Sequence, residues 1–370
     1  LGVTQSAVSQ HLRVLKNVGL VRGERRGYRV HYFIDPDGLA RRARRRAEAS
    51  VSMFADLHLH SRFSDGTFTP EELVACACRH GLSALALTDH DSVEGCERMR
   101  AACAQQGVEF IPGTELTAEH NGAEVHILGY YLDVTHPRLL SELARFQRAR
   151  QNRIREMCAR LQELNVPLQA EAVFELARCN SPGRPHVARS LVEHGHCRTL
   201  DEAFERFLKR DRPAWVPKTR ISAREAIGLI HDAGGLAVLA HPVLNHADHL
   251  IPVLAAEGLD GLECFHTKHS EEATRRYLAL ATQHGLLITG GSDCHGNSKG
   301  RPLIGSIKLP YAYVEALQAA RRRRARRRTG AASRRRLAGG LATAVLGALA
   351  PALVVAVWRF GPQAYCPRFT

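Results

Sequence analysis

The chain has 370 residues, of which 45% are hydrophobic and 24% are charged, as in globular proteins with a sizeable core. Its formal net charge of +14 arises from arginine runs within residues 41–46, 321–328 and 334–336, and the remaining acidic and basic residues nearly balance. Such runs are usually solvated or form interaction tails, so the charge does not argue for a nucleic-acid-binding or membrane-binding body. The ten cysteines include no CxxC pair, which favours a reduced, cytoplasmic protein over a disulfide-stabilised one.

The first 40 residues carry the pattern of part of a DNA-binding module. Residues 1–12 fit a turn followed by a helix, and residues 25–34 fit a basic β-wing that ends in an apolar strand. This stretch resembles the second half of a winged helix-turn-helix of the arsenical-repressor (ArsR) type. The resemblance implies that polar side chains of the helix contact DNA in the major groove while basic wing residues contact phosphate. Because residues 1–40 correspond to only part of such a module, a vestigial fragment without DNA binding is the alternative.

Residues 41–50 form an Arg-rich linker, and from residue 51 the chain alternates apolar strands with amphipathic helices. After an initial β-like run at residues 56–60, strands are predicted at residues 82–88, 123–128, 236–240, 261–265 and 286–289. Helices are predicted at residues 70–80, 93–106, 223–233 and 271–284. Alternating βα units favour a parallel sheet with both faces covered by helices.

A second set of helices interrupts this alternation. These helices are predicted at about residues 137–164, 170–177, 185–194 and 200–208. Because strands precede and follow them, we interpret residues 135–222 as a helical cap. The cap is inserted into an α/β domain that spans residues 51–312.

Histidines and carboxylates recur where the predicted strands end. In the run Asp56-Leu57-His58-Leu59-His60 the two imidazoles lie on one face, because side chains two apart on a strand point the same way. A turn that follows can bring the carboxylate of Asp65 toward them. The complete set contains six histidines and three carboxylates, namely His58, His60, Asp65, His90, Glu115, His126, His241, Asp293 and His295.

This set is too large for a single ion. A catalytic ion takes about three or four protein ligands, so nine residues can hold two or three divalent ions if some of them bridge. Imidazole with carboxylate suits Mn²⁺, Zn²⁺ or Fe²⁺. Any one of these residues could be an ordinary surface or core side chain, but their ordered recurrence argues against chance. The carboxyl ends of strands are where a (β/α) barrel assembles its site, so the sequence predicts a barrel with a polymetal centre at its mouth.

The ordered motifs resemble the polymerase and histidinol phosphatase (PHP) family across about residues 53–310. The motifs are Asp56-Leu57-His58-Leu59-His60 with Ser64-Asp65-Gly66, Thr88-Asp89-His90-Asp91, Gly113-Thr114-Glu115, Val125-His126-Ile127-Leu128-Gly129, Arg184-Pro185-His186, Ala240-His241-Pro242 and Ser292-Asp293-Cys294-His295. The resemblance implies a distorted (β/α)7 barrel with an inserted helical cap, preceded here by the winged-helix fragment. It also implies a trinuclear centre whose ligands are the nine residues above, with Glu115 or a hydroxide bridging two ions.

The resemblance is greatest to stand-alone PHP phosphoesterases, which carry a helical insertion between the positions of His126 and His241. Some of these hydrolyse nucleoside 3′,5′-bisphosphates or trim RNA from its 5′ end. The implied activity is metal-dependent hydrolysis of phosphate monoesters of nucleotides or of the 5′ ends of short RNA. In that chemistry the ions lower the pKa of bound water, and the resulting hydroxide attacks phosphorus.

Three residues are expected to take part in catalysis beside the ions: Asp65, Asp89 and His186. Asp89 would orient ligand His90, whereas His186 would contact phosphate or donate a proton unless it serves only the start of its helix. A further group of cations is expected to bind the non-reacting phosphate, namely Arg148, Arg153, Arg184 and Lys218. Taken singly, each of these is more often a solvated surface charge than a phosphate ligand.

Two alternative functions remain open at this stage. One is a DNA-binding transcriptional regulator whose PHP body senses a ligand or retains phosphatase activity. The other is a phosphatase of the histidinol-phosphate type, which fits less well in length and context. Hydrolysis that depends on metal would separate the enzyme from the regulator.

Residues 313–370 form an Arg-rich and apolar tail. Within it, residues 337–358 carry no charge and are long enough to span a bilayer, and the arginines before them favour a cytoplasmic N-terminal side. A disordered tail is the alternative. The expected partners are therefore a phosphorylated nucleotide or short nucleic acid, DNA through the N-terminal fragment, and a membrane tether through the tail of an otherwise cytoplasmic protein.

Overall fold

A computed structural model describes residues 53–326 without interruption and, before them, residues 12, 15–16, 20–26, 29–37 and 40. The predicted β-wing is confirmed as an antiparallel hairpin of β1 (Val21–Arg26) and β2 (Arg29–Ile34). Most of the predicted recognition helix, the Arg-rich linker and the apolar segment 337–358 lie outside the described residues. Within the described part, no helix is both long and apolar enough to cross a membrane.

The body of the protein is built on a nine-stranded sheet. Its strands are β3 (Phe54–Asp56), β4 (Leu82–Leu87), β5 (Glu109–His120), β6 (Ala123–Tyr130), β7 (Ile221–Ser222), β8 (Leu236–Leu239), β9 (Gly261–His266), β10 (Leu287–Gly291) and β11 (Leu309–Pro310). Eight of them follow the order β10-β9-β8-β6-β5-β4-β3-β11, and β7 pairs with β5.

The sheet nearly closes on itself where β3 meets β10. The amide of Leu57 donates to the carbonyl of Gly290 at 3.1 Å, and Leu59 forms a parallel bridge with Cys294. This close approach requires glycine at position 291, because a Cβ there would lie 2.4 Å from the backbone nitrogen of His58. The predicted distorted α/β barrel is thereby confirmed.

Two strands of the sheet run against their neighbours, the eight-residue β6 and the two-residue β11, which pairs antiparallel with β3. Parallel pairing joins β3, β4 and β5, and also β8, β9 and β10, but β6 is antiparallel to both β5 and β8. The expectation of a wholly parallel sheet is wrong at β6 and β11. Only Asn121 and Gly122 separate β5 from β6, and both have positive φ angles, as in a tight hairpin. Such a turn is too short for the crossover that a parallel pair needs.

The helices are α1 (Pro70–Arg79), α2 (Cys96–Gln106), α3 (Pro137–Glu163), α4 (Ala170–Ala177), α5 (Arg184–Glu193), α6 (Leu200–Ala203), α7 (Ala223–Asp232), α8 (Ile251–Ala256) and α9 (Glu271–His284). The bounds of α4 and α9 are those predicted. The helix predicted at residues 200–208 is divided into α6 and a π-helical turn, Phe204–Leu208. Helix α8 and a helix over residues 311–326 have no counterpart in the predictions.

Helix α3 links the barrel to the inserted helices because its two halves contribute to different cores. Leu139, Leu143 and Phe146 in its first half are buried in the barrel core. Ile154 and Met157 in its second half are buried in a separate core with α4, α5 and α6. The junction between the halves, at residues 150–153, therefore lies where the two cores meet, and this placement brings α3 to the cavity described below.

Candidate metal centre

The loop after β3 brings His58, His60 and Asp65 to the mouth of the barrel. Both histidines are fully buried, and their ring centroids are 5.1 Å apart. The loop then turns tightly at Gly66, where a Cβ would lie 2.3 Å from the carbonyl oxygen of His60. Only glycine fits this turn, which returns the carboxylate of Asp65 to within 3.3 Å of the His295 ring.

The nine predicted ligands converge on this mouth. They form four groups in which all ligand atoms lie within 4.8 Å of one another: His60, Asp65, His90 and His295; His58, His60 and Asp293; His58, Glu115 and His241; and His90, Glu115 and His126. Shared members join the four groups into one continuous cluster.

Glu115 lies at the middle of this cluster. One of its carboxylate oxygens is 2.6 Å from Nδ1 of His126 and 3.0 Å from Nε2 of His241. The other is 3.2 to 3.3 Å from ring nitrogens of His58, His60 and His90. A carboxylate whose two oxygens face different sets of imidazoles suits a bridge between ions. The antiparallel direction of β6 explains how His126, in the first half of its strand, reaches the same end of the barrel as residues that follow their strands.

The electrostatics of the cluster favour cations. Burial acts to lower the pKa of His60, but Asp293 and Glu115 outweigh it and raise that pKa to about 9. Burial also acts to lower the pKa of His58, but the carboxylates of Glu263 and Glu115 outweigh it and raise that pKa well above its ordinary value. Burial would raise the pKa values of Asp65, Glu115 and Asp293, yet the surrounding imidazoles hold them well below their ordinary range. The cluster therefore retains protons that a divalent ion could displace.

Several ring and carboxylate atoms of the cluster are buried without a hydrogen-bond partner in the described part of the chain. They include both ring nitrogens of His60, Oδ1 of Asp65 and Nδ1 of His90. Buried polar atoms are normally satisfied, so each such atom calls for an explanation. The donor set of imidazoles and carboxylates fits divalent ions, which would satisfy these atoms.

Two residues of β9 belong to the site but escaped the sequence analysis. Glu263 is fully buried and lies 3.0 Å from Nδ1 of His58. His266 is also buried, and its Nε2 lies 3.7 Å from Asp293. A signal for Glu263 was present, because a carboxylate inside the apolar strand Gly261–His266 has no structural reason to be there unless a cation or donor faces it.

Asp89 contacts the ligand loop and not a ligand ring. Its carboxylate accepts hydrogen bonds from the amide and hydroxyl of Ser61 at 2.7 Å and from the hydroxyl of Ser64 at 2.6 Å. It thus holds the loop that carries Asp65. The predicted orientation of His90 by Asp89 is replaced by this loop contact, because the Asp89 side chain turns toward β3. Asp56 likewise accepts from backbone amides, including that of Ser292 at 2.8 Å, and does not orient the histidine rings.

His186 lies at the first turn of α5, where its Nδ1 accepts a hydrogen bond from the amide of Gly183 at 3.1 Å. The side chain is 1% exposed, and burial with the nearby Arg189 guanidinium lowers its pKa to about 4. A neutral ring that caps the helix agrees with the alternative in which His186 serves only the start of α5. It does not favour a function as proton donor.

A cavity of about 320 Å³ lies between the barrel mouth and the inserted helices. One side is lined by seven members of the ligand set, and the other by cations: Arg150, Arg153, Arg184, Arg189 and Lys218. Three of these cations were predicted. Arg148 is exposed, and it is Arg150, two residues further along α3, that lines the cavity. Side chains two residues apart point to nearly opposite faces of a helix. The pattern of charges alone does not show which face is turned toward the cavity.

The cations are held in two ways. Arg150 pairs with Asp91 at 2.7 Å, and Lys218 pairs with Glu124 at 2.8 Å. Arg153, Arg184 and Arg189 instead donate to the backbone carbonyls of residues 216, 208 and 65. Burial and the neighbouring Arg184 lower the pKa of Arg153 to about 9, as expected where positive charges are crowded. This side of the cavity is therefore suited to an anion.

Comparison with known proteins agrees with this geometry. Residues 56–165 match the model of the PHP domain, and residues 1–22 match that of bacterial regulatory proteins of the arsR family. The 5′-3′ exoribonuclease Rnm of Escherichia coli is 32% identical over 256 residues, which are 67% of this chain and 87% of that protein. The 3′,5′-nucleoside bisphosphate phosphatase of Chromobacterium violaceum is 33% identical over 253 residues, which are 66% of this chain and 88% of that protein.

A solved structure is similar as well. A Bifidobacterium adolescentis protein assigned as a metal-dependent phosphoesterase superposes with a TM-score of 0.67 at 33% identity, covering 72% of this chain and 96% of that one. Extensive similarity in sequence and fold, together with the metal-binding geometry, leads to one conclusion. The chain belongs to the PHP family of metal-dependent phosphoesterases.

Proposed function

We propose that this phosphoesterase acts on 5′-phosphorylated nucleosides that carry a second phosphoryl group at the 3′ position. A nucleoside 3′,5′-bisphosphate and the 5′ end of a short phosphorylated RNA share this unit. The observation that carries the proposal is the two-sided cavity, in which a cluster of metal-ligating side chains faces five cations across about 320 Å³. One side suits the phosphoryl group that reacts, and the other suits a phosphate that only binds.

The nine histidines and carboxylates would hold two or three divalent ions, with Mn²⁺, Zn²⁺ and Fe²⁺ all compatible with the donors. When bound, such ions lower the pKa of coordinated water and polarise phosphoryl oxygens. Glu115 would hold ions on both of its sides, and Asp65 would contribute from its loop. Asp89 keeps that loop in place through Ser61 and Ser64.

The cations of the cavity would bind the phosphate that does not react. Arg153, Arg184 and Arg189 are the strongest candidates, because their hydrogen bonds to neutral carbonyls leave the positive charge available. Arg150 would instead hold Asp91 in place. His186 caps α5, the helix that carries Arg184 and Arg189. It would therefore affect phosphate binding only indirectly, by stabilising the start of that helix.

The apolar part of the cavity lining comprises Leu200, Phe204 and Leu244. An aromatic ring beside a phosphate subsite can stack on a nucleobase. This contact favours a nucleotide over a smaller phosphate ester such as histidinol phosphate. DNA binding and membrane attachment stay predictions.

The test compares Arg153→Met with Arg148→Met, two substitutions on one helix of which only the first removes a cation of the cavity. Hydrolysis of adenosine 3′,5′-bisphosphate and of p-nitrophenyl phosphate is measured with Mn²⁺. Arg153→Met should lower kcat/KM for the bisphosphate by about 10- to 100-fold, the cost of one charge-assisted contact. p-Nitrophenyl phosphate, which has no second phosphate, should be hydrolysed as by the wild type.

The control substitution Arg148→Met should leave both activities unchanged. Two results would contradict the proposal. If the wild type hydrolyses 3′-AMP as well as the bisphosphate, the second phosphate is not recognised. If Arg153→Met affects both substrates equally, the arginine does not bind a second phosphate.

A further inference from the structure

Glu263 contacts two members of the ligand cluster without being one of its predicted ligands. It lies within β9 and is fully buried. One carboxylate oxygen is 3.0 Å from Nδ1 of His58, and the other accepts the backbone amide of His241 at 2.8 Å. Both oxygens are therefore engaged by nitrogen atoms.

The first contact determines which nitrogen of His58 can bind an ion. An ionised carboxylate only accepts hydrogen bonds, so Nδ1 of His58 must carry the proton. The lone pair is then left on Nε2, which lies 3.3 Å from Glu115 and 3.6 Å from Asp293. Carboxylate partners of this kind orient metal-binding imidazoles and select their tautomer.

The second contact supports an unusual backbone. His241 has φ 24° and ψ 59°, a conformation that residues other than glycine rarely adopt. Such conformations are energetically unfavourable and persist only where the surroundings impose them. The hydrogen bond from its amide to Glu263 is one such constraint, and it sets the direction in which the His241 ring leaves the chain.

We propose that Glu263 is a positioning residue for one ion of the centre, the ion that the group His58, Glu115 and His241 would hold. It orients the ring of His58 and the backbone of His241, which are two of the three members of that group. The inference rests on the proposed metal centre but not on the identity of the substrate. It assigns β9 the function of supporting two ligands that lie in the loops after β3 and β8.

The chain contains a matched control at the other end of the same strand. Asp260 directly precedes β9, and its carboxylate also contacts one imidazole and one backbone amide. These are Nε2 of His231 at 2.7 Å and the amide of Ala237 at 2.8 Å. Neither partner belongs to the ligand cluster. Removing this carboxylate therefore tests the loss of a similar, partly buried pair of contacts without touching the centre.

The experiment compares Glu263→Gln with Asp260→Asn in the full chain loaded with Mn²⁺. A glutamine has one acceptor oxygen and one amide donor, so a donor must face either His58 Nδ1 or the His241 amide. His58 can relieve this conflict only by moving its proton to Nε2, the atom that would face the ion. Metal content is measured after dialysis against graded concentrations of a chelator, and kcat and KM are measured separately.

Glu263→Gln should retain about one ion fewer per chain, with an affinity for that ion reduced about 10- to 100-fold. Its kcat should fall while KM changes little, because the cations of the cavity are untouched. Asp260→Asn should retain metal as the wild type does. Equal metal retention by Glu263→Gln and the wild type would overturn the inference, whereas failure of the wild type to bind metal would overturn the proposed function itself.

A second variant covers the case in which Glu263→Gln does not fold. Glu263→Asp keeps the charge but withdraws it from His58 by one methylene, and circular dichroism verifies its fold. Weaker metal retention than in Asp260→Asn would support the positioning function. Retention equal to that of Asp260→Asn would refute it.

Discussion

The barrel mouth and the inserted helices line the same cavity, but they hold their polar side chains in different ways. At the mouth, short side chains leave strands or tight loops and contact one another, as Glu115 does with the surrounding histidines. On the insertion, long cationic side chains leave helices and donate to backbone carbonyls, as Arg153 does with residue 216. The first arrangement brings the ligand atoms of each group within 4.8 Å of one another, as a shared ion would require. The second preserves net positive charge, which is what an anion needs.

This comparison predicts that substitutions at the mouth change metal content and kcat, whereas substitutions on the insertion change KM. Some residues of the insertion also contact loops of the centre, as Ser181 does with the carbonyl of His90 at 2.6 Å. Arg189 of α5 donates to the carbonyl of Asp65 at 2.6 Å, so the insertion also supports a loop of the metal centre. The separation is therefore expected to hold for most of the cavity but to weaken at these contacts.

The largest effect is expected for Glu115→Gln. Glu115 belongs to two of the four ligand groups, and an amide cannot supply negative charge to both sides. Each bound ion would stabilise the charge of the transition state by several kcal/mol. Losing ions should therefore lower kcat by about 10³-fold or more. Metal analysis should show at least one ion lost. A variant that keeps both its metal and its kcat would contradict the bridging position.

A smaller effect is expected for Asp65→Asn. Asp65 belongs to one ligand group, so its loss should weaken one ion without emptying the centre. We expect about one ion fewer per chain and a kcat lower by about 100-fold. Metal counting by mass spectrometry is the direct measurement. The Arg148→Met variant, purified in the same way, is the control. Complete loss of metal would show that the groups do not bind independently.

The pH dependence of the metal-free protein tests the electrostatics of the mouth. The pKa of His60 is raised from its ordinary value of 6.5 to about 9, because Asp293 and Glu115 outweigh burial. The stability that its proton contributes should be fully present below about pH 6.5 and should be lost as the pH rises through about 9. Denaturation of the metal-free protein between pH 6 and 9.5 measures this loss.

Metal should bind with the opposite trend, because an ion must displace the proton of His60. Apparent affinity, measured by competition with a chelator, should therefore increase between pH 6 and 9. An affinity that does not change with pH would mean that His60 is already neutral in the metal-free protein. That result would contradict the raised pKa.

The smallest effect is expected for Phe204→Ala at the apolar part of the cavity. Stacking of a base on an aromatic side chain contributes about 1 kcal/mol or more, which corresponds to about a fivefold rise in KM for adenosine 3′,5′-bisphosphate. The kcat should be unchanged, and hydrolysis of p-nitrophenyl phosphate should be unaffected. A fall in kcat would instead show that Phe204 helps to position the metal centre. The barrel mouth and the insertion would then not act separately at this residue.

Much of the centre could be predicted because its residues occur in short local patterns. His58 and His60 lie two residues apart just after β3, and His90, His241 and Asp293 follow apolar strands, so their place at strand ends directs them to one end of the barrel. Glu263 carried no such local pattern, since its partners are His58 and His241, distant in sequence. The antiparallel β6 is a different case, because the Asn121-Gly122 turn between β5 and β6 is itself a local hairpin signal.

The sequence by itself determined the fold class, the nine histidines and carboxylates that converge at the barrel mouth and the existence of a helical insertion. These follow from hydrophobic periodicity and from side-chain chemistry at strand ends, both of which are local. Only the tertiary structure decided which cations face the cluster, that Asp89 holds a loop, and that Glu263 supports two ligands. Such choices depend on contacts between residues far apart in the chain, where a rotation of one helix exchanges Arg148 for Arg150 at the cavity.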